Sequence, residues 1–168
     1  MSRRLPVTPD PLREGQESVW DYPRPPRAER VSSRVTVELG GAVIVDTTDV
    51  VRVLETSHPP VYYVRESDFA QGSLRPASGS SFCEYKGRAA YFDVVSGGEV
   101  RERAAWGYPD ASGGFAELQG RVAVYARGMD RCTVDGETVE PQPGGFYGGW
   151  VTSWIAGPFK GIPGSMGW

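Results

Sequence analysis

Arg34-Val35-Thr36-Val37-Glu38-Leu39-Gly40-Gly41-Ala42-Val43-Ile44-Val45-Asp46 is the stretch that settles the fold class. Val35, Val37 and Leu39 alternate with Thr36 and Glu38, the period of two that sends successive side chains to opposite faces of a strand. Gly40-Gly41 tolerates positive φ at both positions, as a two-residue primed turn demands, and Ala42 to Asp46 returns as the partner strand. Working outward, Val50 to Glu55 reads as a third strand. A corner broken by proline follows at Thr56-Ser57-His58-Pro59-Pro60, and Val61-Tyr62-Tyr63-Val64 makes a fourth strand. Glu55 shares the face of Val51 and Val53 by period, so its carboxylate is expected to turn inward toward a cation.

The rest of the chain repeats this grammar in short pieces. Gly 22 and Pro 14 make up about a fifth of 168 residues, a load that disfavours long helices and favours turns. The expected fold is mostly β, of short antiparallel strands and hairpins, with one or two short helices at Glu66 to Gln71 and within Asp110 to Gln119. Ser73 to Gly79 reads as a loop, Val100 to Trp106 and Arg121 to Ala126 as strands, and Asp135-Gly136 as the turn of a small hairpin. Three regions follow: a Pro-rich arm over 1–32, a core domain over 33–126, and a hairpin with a Gly- and aromatic-rich strap over 127–168. Trp20 and Tyr22 in the arm would be costly to leave wet. They are expected to dock, like the strap's Phe146, Tyr147, Trp150, Trp154, Phe159 and Trp168, on the body or on a second subunit.

A net charge of −3 without a basic cluster argues against nucleic acid as a partner. No apolar run is long enough to span a bilayer, and Met1 to Pro6 lacks a signal segment, so no membrane partner and a cytoplasmic location are expected. Cys83 and Cys132 lie far apart and read as free thiols in a reducing compartment. No cofactor is expected: His58, Cys83 and Cys132 are too scattered for a zinc site. Neither a Walker loop nor a Gly-x-Gly-x-x-Gly is present.

Ser81-Phe82-Cys83-Glu84-Tyr85-Lys86-Gly87-Arg88-Ala89-Ala90-Tyr91-Phe92 concentrates reactive groups around one hairpin bend. The chain has 16 arginines and two lysines, Lys86 and Lys160. A lysine retained against that bias hints at a compact, adjustable amine, although a solvated turn residue has the same look. Cys83 and Lys86 are the candidates for covalent catalysis, with a space-filling thiol the alternative for Cys83. Tyr63, Tyr85, Tyr91, Trp106 and Tyr108, with Lys86, Arg34 and Glu55 supplying charge, have the composition of a cleft for a small anionic or aromatic ligand. An ordinary small β core with polar tips has the same composition. A homodimeric interaction module built on the arm and strap aromatics is the reading from a different class.

Several motifs together resemble one family. They are Trp20-Asp21-Tyr22-Pro23, Val53 to Tyr63, Cys83-Glu84-Tyr85-Lys86-Gly87, Ala90-Tyr91, Ala105-Trp106-Gly107-Tyr108-Pro109 and Gly144-Gly145-Phe146-Tyr147-Gly148-Gly149-Trp150. The chain is similar to the domain of unknown function 427 family in its longer bacterial form, over a core from about Ser33 to Ala126. The resemblance implies a β-tent domain, a dimer, and a family of bacteria and fungi with no established activity. Its pattern of Cys-x-aromatic-Lys-Gly falls on Cys83, Tyr85, Lys86 and Gly87, with Tyr85 standing where relatives usually carry Trp. The family sometimes carries a nucleotidyltransferase-like label, while this chain has no Asp-x-Asp of the kind that holds Mg²⁺ in such enzymes.

Overall fold

In the structure, a computed structural model that describes residues 7–168, regular backbone consists of short strands and single 3-10 turns. The strands are β1 (Glu17–Ser18), β2 (Arg27–Val31), β3 (Val35–Leu39), β4 (Ala42–Thr47), β5 (Val50–Leu54), β6 (Val61–Arg65), β7 (Leu74–Cys83) and β8 (Gly87–Ser96). They continue with β9 (Glu99–Gly107), β10 (Arg121–Val124), β11 (Arg131–Val134), β12 (Glu137–Thr138), β13 (Glu140–Pro141), β14 (Trp150–Val151) and β15 (Ile155–Ala156). The β3–β4 hairpin turns on Gly40 and Gly41 at φ 62° and 79°, the doubly positive φ its sequence calls for.

Two open antiparallel sheets carry the fold. One is seven-stranded in the order β2-β5-β6-β10-β9-β8-β7, the other four-stranded in the order β12-β11-β3-β4. Strand alternation sorts apolar side chains to two cores. Tyr62, Val64, Val94, Ala105, Val122 and Val124 point from the large sheet toward Val35, Val37, Leu39, Val45, Cys132 and Val134 of the small one. From the opposite face of the large sheet, Val51, Val53, Tyr63, Ala89, Trp106 and Ala123 pack with Tyr108, Ala111 and Leu118. The central strands are therefore covered on both sides, which is why Val61-Tyr62-Tyr63-Val64 is apolar without interruption.

Some elements differ from the sequence reading. Arg27–Val31, inside the Pro-rich stretch, is the edge strand β2 and pairs antiparallel with β5. Only Ala28 and Val31 in it are apolar, because an edge strand half in water needs no clean alternation. Ser73 to Gly79, read as a loop, mostly joins β7, with a register irregularity between Pro76 and Ser80. Pro76 fits because β7 is also an edge, where a missing N–H leaves no ladder bond unmade. The two short helices are 3-10 turns, Glu66–Asp68 and Gly113–Leu118. No described helix is long and apolar enough to cross a membrane.

The arm and the strap pack on their own chain. Val19 and Tyr22 join Leu54 and Ile155 in a third apolar cluster, β1 pairs parallel with β15, and Trp20 Nε1 donates to the Pro158 carbonyl at 2.9 Å. Trp150 is buried, stacks on Tyr62 at 5.5 Å between ring centroids, and donates from Nε1 to the Val124 carbonyl.

Candidate functional site

The corner after β5 is where arm, body and strap meet. The His58 amide donates to the Glu55 carbonyl at 3.0 Å, closing a tight turn, and Ser57 within it takes φ 73°. A left-handed serine is unfavourable unless its surroundings hold it. Here they do: Ser57 N–H donates to the Val19 carbonyl at 3.0 Å and its carbonyl accepts from Lys160 N–H at 2.9 Å. Thr56 Oγ1 donates to the Tyr22 carbonyl at 2.6 Å, and Trp150 N–H to the Pro60 carbonyl at 2.9 Å.

Beside this corner lies a cleft of about 240 Å³, bounded by Val53, Glu55, His58, Pro59, Val61, Tyr63, Lys86, Trp106, Tyr108, Gln142, Tyr147, Gly148 and Lys160. Its floor is aromatic, with Tyr63 edge-on to Trp106 at 6.4 Å and 6.3 Å from Tyr108. Lys86 leans over the Tyr108 ring, Nζ 5.4 Å from its centroid. On the strap side Lys160 Nζ lies 5.6 Å from the Tyr147 centroid and donates to the main-chain oxygen of Trp168 at 3.2 Å. Tyr147 in turn meets the His58 ring edge-on at 5.0 Å. The strap approaches this closely because residue 148 is glycine: a Cβ there would stand 2.1 Å from Trp106 Cη2.

Hydrogen bonds from Gln142 fix the state of His58. Gly149 N–H can only donate, so it holds Gln142 Oε1 toward itself at 3.1 Å. The Gln142 amide nitrogen then donates to the Lys160 carbonyl at 2.9 Å and to His58 Nδ1 at 3.1 Å. Nδ1 is the acceptor, which leaves the ring proton on Nε2, 3.6 Å from Glu55 Oε2. Burial pushes the imidazole down to about 4. Glu55 favours its protonation and Lys160, Arg24 and Lys86 oppose it. At neutral pH the His58–Glu55 contact thus joins a neutral ring to a carboxylate and is not an ion pair. Glu55 is answered instead by Arg24, 3.6 Å away.

Of the residues singled out from the sequence, Glu55, Tyr63, Lys86, Trp106 and Tyr108 line this cleft. Arg34 does not. It immediately precedes β3 of the other sheet and forks onto Asp46 at 2.8 and 2.7 Å. Tyr85 sits at the tip of the β7–β8 hairpin, exposed. Tyr91 lies further along β8, its hydroxyl 2.7 Å from Ser81 Oγ and its ring under the Arg103 guanidinium at 4.3 Å. Cys83 is half-buried against the Tyr63, Trp106 and Tyr108 cluster, and Cys132 is buried between the sheets, its thiol pushed up to about 12 by burial. Sequence reasoning set His58 aside as a turn residue and left Gln142, Tyr147 and Lys160 unplaced. The scarcity of lysine, used only for Lys86, is the signal that could have found Lys160.

A second hollow of about 270 Å³ lies across the strap, bordered by Arg101, Arg103, Arg127 and Tyr125 and sharing Gln142, Tyr147 and Gly148 with the cleft. Among the described residues no three His, Cys, Asp or Glu side chains are grouped so as to hold a metal ion.

No curated protein matches the sequence. A family model matches residues 27–135, from the edge strand β2 to the turn after β11. That span holds Glu55, His58, Tyr63, Lys86, Trp106 and Tyr108, whereas Gln142, Tyr147 and Lys160 come from the strap beyond it. The model is described as Domain of unknown function (DUF427), and the chain belongs to that family.

Proposed function

We propose that this protein binds a small anionic or aromatic metabolite, with nucleotides among the candidates, in the cleft between the large sheet and the strap. One observation carries the reading: the chain's two lysines and its one histidine all line the same cleft. Cationic tips over an aromatic floor, with a glutamine whose hydrogen-bonding groups are already committed, are features of a preformed small-molecule site. We place its action in the cytoplasm, which suits two free thiols.

A thermal-shift screen of nucleotides, cofactors and small acids on the wild type and Lys86→Ala tests it. A ligand at a hundred times its dissociation constant adds about 2.7 kcal/mol, raising the melting temperature by roughly 5 to 10 °C. The expected result is a shift in the wild type that is lost in the variant. A shift kept in Lys86→Ala, or none across the panel, contradicts the assignment.

The second reading, a homodimeric interaction module, draws on Phe146, Ile162 and Met166, exposed around an apolar groove of the strap. Sedimentation of the full chain against a Phe146→Ser, Met166→Ser double variant decides it: a dimer in the wild type that dissociates in the variant supports this reading, and an unchanged mass removes the strap from any interface.

A further inference from the structure

We infer that the cleft takes a planar ring carrying an amide edge, its carbonyl accepting from His58 Nε2–H and its N–H donating to the Glu55 carboxylate. This rests on the reading of the cleft as a binding site and names the group by which the ligand is recognised; the anionic part of that ligand stays with Lys86. The local sequence sets the pair. The His58 amide donates to the Glu55 carbonyl at 3.0 Å, and that tight turn brings the two side chains to one corner, where both residues line the cleft.

Hydrogen bonding separates them from their neighbours. Gln142 is fully engaged: its oxygen accepts from Gly149 N–H, and its nitrogen donates to the Lys160 carbonyl and to His58 Nδ1. Lys160 Nζ is taken up by the main-chain oxygen of Trp168. The proton on His58 Nε2 has no such partner. Glu55 Oε2 lies 3.6 Å from Nε2 and 3.6 Å from Arg24 Nη2, both beyond hydrogen-bond reach. Among the described residues the imidazole N–H therefore donates no hydrogen bond, and the Glu55 carboxylate accepts none. Neither group can change its role. Gln142, 1% exposed and pinned by Gly149, holds the ring in the tautomer with its proton on Nε2, and an ionised carboxylate only accepts.

A fixed donor beside a fixed acceptor is answered by a ligand with an acceptor and a donor side by side in one plane. An amide whose carbonyl and N–H lie on the same side has that arrangement, the one by which an asparagine or glutamine side chain grips the edge of adenine. A primary carboxamide and a cyclic lactam share it. Tyr63, Trp106 and Tyr108 give the ring an apolar floor to lie on. A volume of about 240 Å³ is about eight waters' worth of space, which keeps the ring system small. A ring without the N–H would displace water from the carboxylate and leave it unpaired, so the site discriminates against it.

Calorimetry at pH 7.5 tests the inference by comparing isocarbostyril, a lactam, and benzamide with their N-methyl and N,N-dimethyl forms and with naphthol, on the wild type and on Glu55→Ala. At least one amide should bind the wild type roughly tenfold or more tighter than its methylated form, and Glu55→Ala should abolish that preference. Which amide binds tells a lactam from an open carboxamide. Because His58 is the one histidine of the chain, labelling histidine with ¹⁵N gives a single imidazole. Its free spectrum should place the proton on Nε2, and that N–H should shift when the amide binds. A proton on Nδ1, an unmoved Nε2–H, or a methylated ring that binds as well as its parent overturns the inference, whether or not Glu55→Ala folds. So does a preference that survives in a folded Glu55→Ala, and so does naphthol binding as tightly as the amides, which would leave the corner as a site for a hydroxyl. If no amide binds while the metabolite screen finds a ligand that Lys86→Ala loses, the inference falls and the proposed function stands; if that screen is silent too, both fall.

Discussion

His58 ties the chemistry of the cleft to the stability of the fold. Its imidazole titrates near 6.5 in an unfolded chain, and burial holds it down to about 4 in the folded one. Between those values the unfolded chain binds a proton that the folded chain refuses, so stability falls as pH drops through that window, by up to about 3 kcal/mol. Glu17 acts lower down. Its carboxyl is depressed chiefly by its hydrogen bond from Arg52, so its stabilising effect fades only below the ordinary value of 4.5. Denaturant melts at pH 7, 5.5 and 4.5 should therefore show a loss already by pH 5.5, flattened in His58→Gln; a variant with the wild-type slope contradicts this account. The inward turn of Glu55 was legible from period alone, because Val51 and Val53 fix the face. The role of His58 was not, since its partner Gln142 is 84 residues away and nothing local distinguishes a buried corner from a wet one.

At the scale of elements, two substitutions probe what holds the cleft's walls. Gly148→Ala would drive a methyl into the Trp106 indole, at a cost of about 1–3 kcal/mol. Because Trp106 is also part of the floor, ligand affinity should fall along with the denaturation midpoint; unchanged stability would mean the strap does not press on the ring. Arg52 on β5 joins the arm to the sheet, donating to Glu17 at 2.9 and 3.1 Å and to Glu29 at 2.6 Å. Its side chain is only 11% exposed, and the two carboxylates are 39% and 30% exposed. Arg52→Met should cost about 2 kcal/mol, less than a fully buried pair because the orphaned carboxylates can reach water. Equal chemical-denaturation curves for variant and wild type would show the network to be ornamental. The hairpins at Gly40-Gly41 and Asp135-Gly136 were legible because turn chemistry and alternation agree. Edge strands β2 and β7 were not, because half-exposed strands carry charge, proline and serine where alternation should be.

For the molecule as a whole, the strap lines the cleft and the arm braces the corner beside it. The family-matched span supplies the aromatic floor, Glu55, His58 and Lys86, while the strap delivers Gln142, Tyr147 and Lys160. The sequence marked the strap's aromatics as needing cover but left open what they cover, since their spacing has no period and their partners lie far off along the chain. Only the folded corner at Thr56-Ser57-His58, held by backbone bonds from both extensions, shows how the arm fixes the corner against which the strap closes the cleft.

With two lysines in the chain, a protein labelled with ¹³C at lysine Cε gives one resonance from the β7–β8 bend and one from the strap, both lining the cleft. On titration with a ligand found by thermal shift, both resonances should move together and saturate at the same dissociation constant. Ligand binding that leaves both resonances unmoved would contradict the account, because the anion would then sit somewhere that neither Lys86 nor Lys160 can reach.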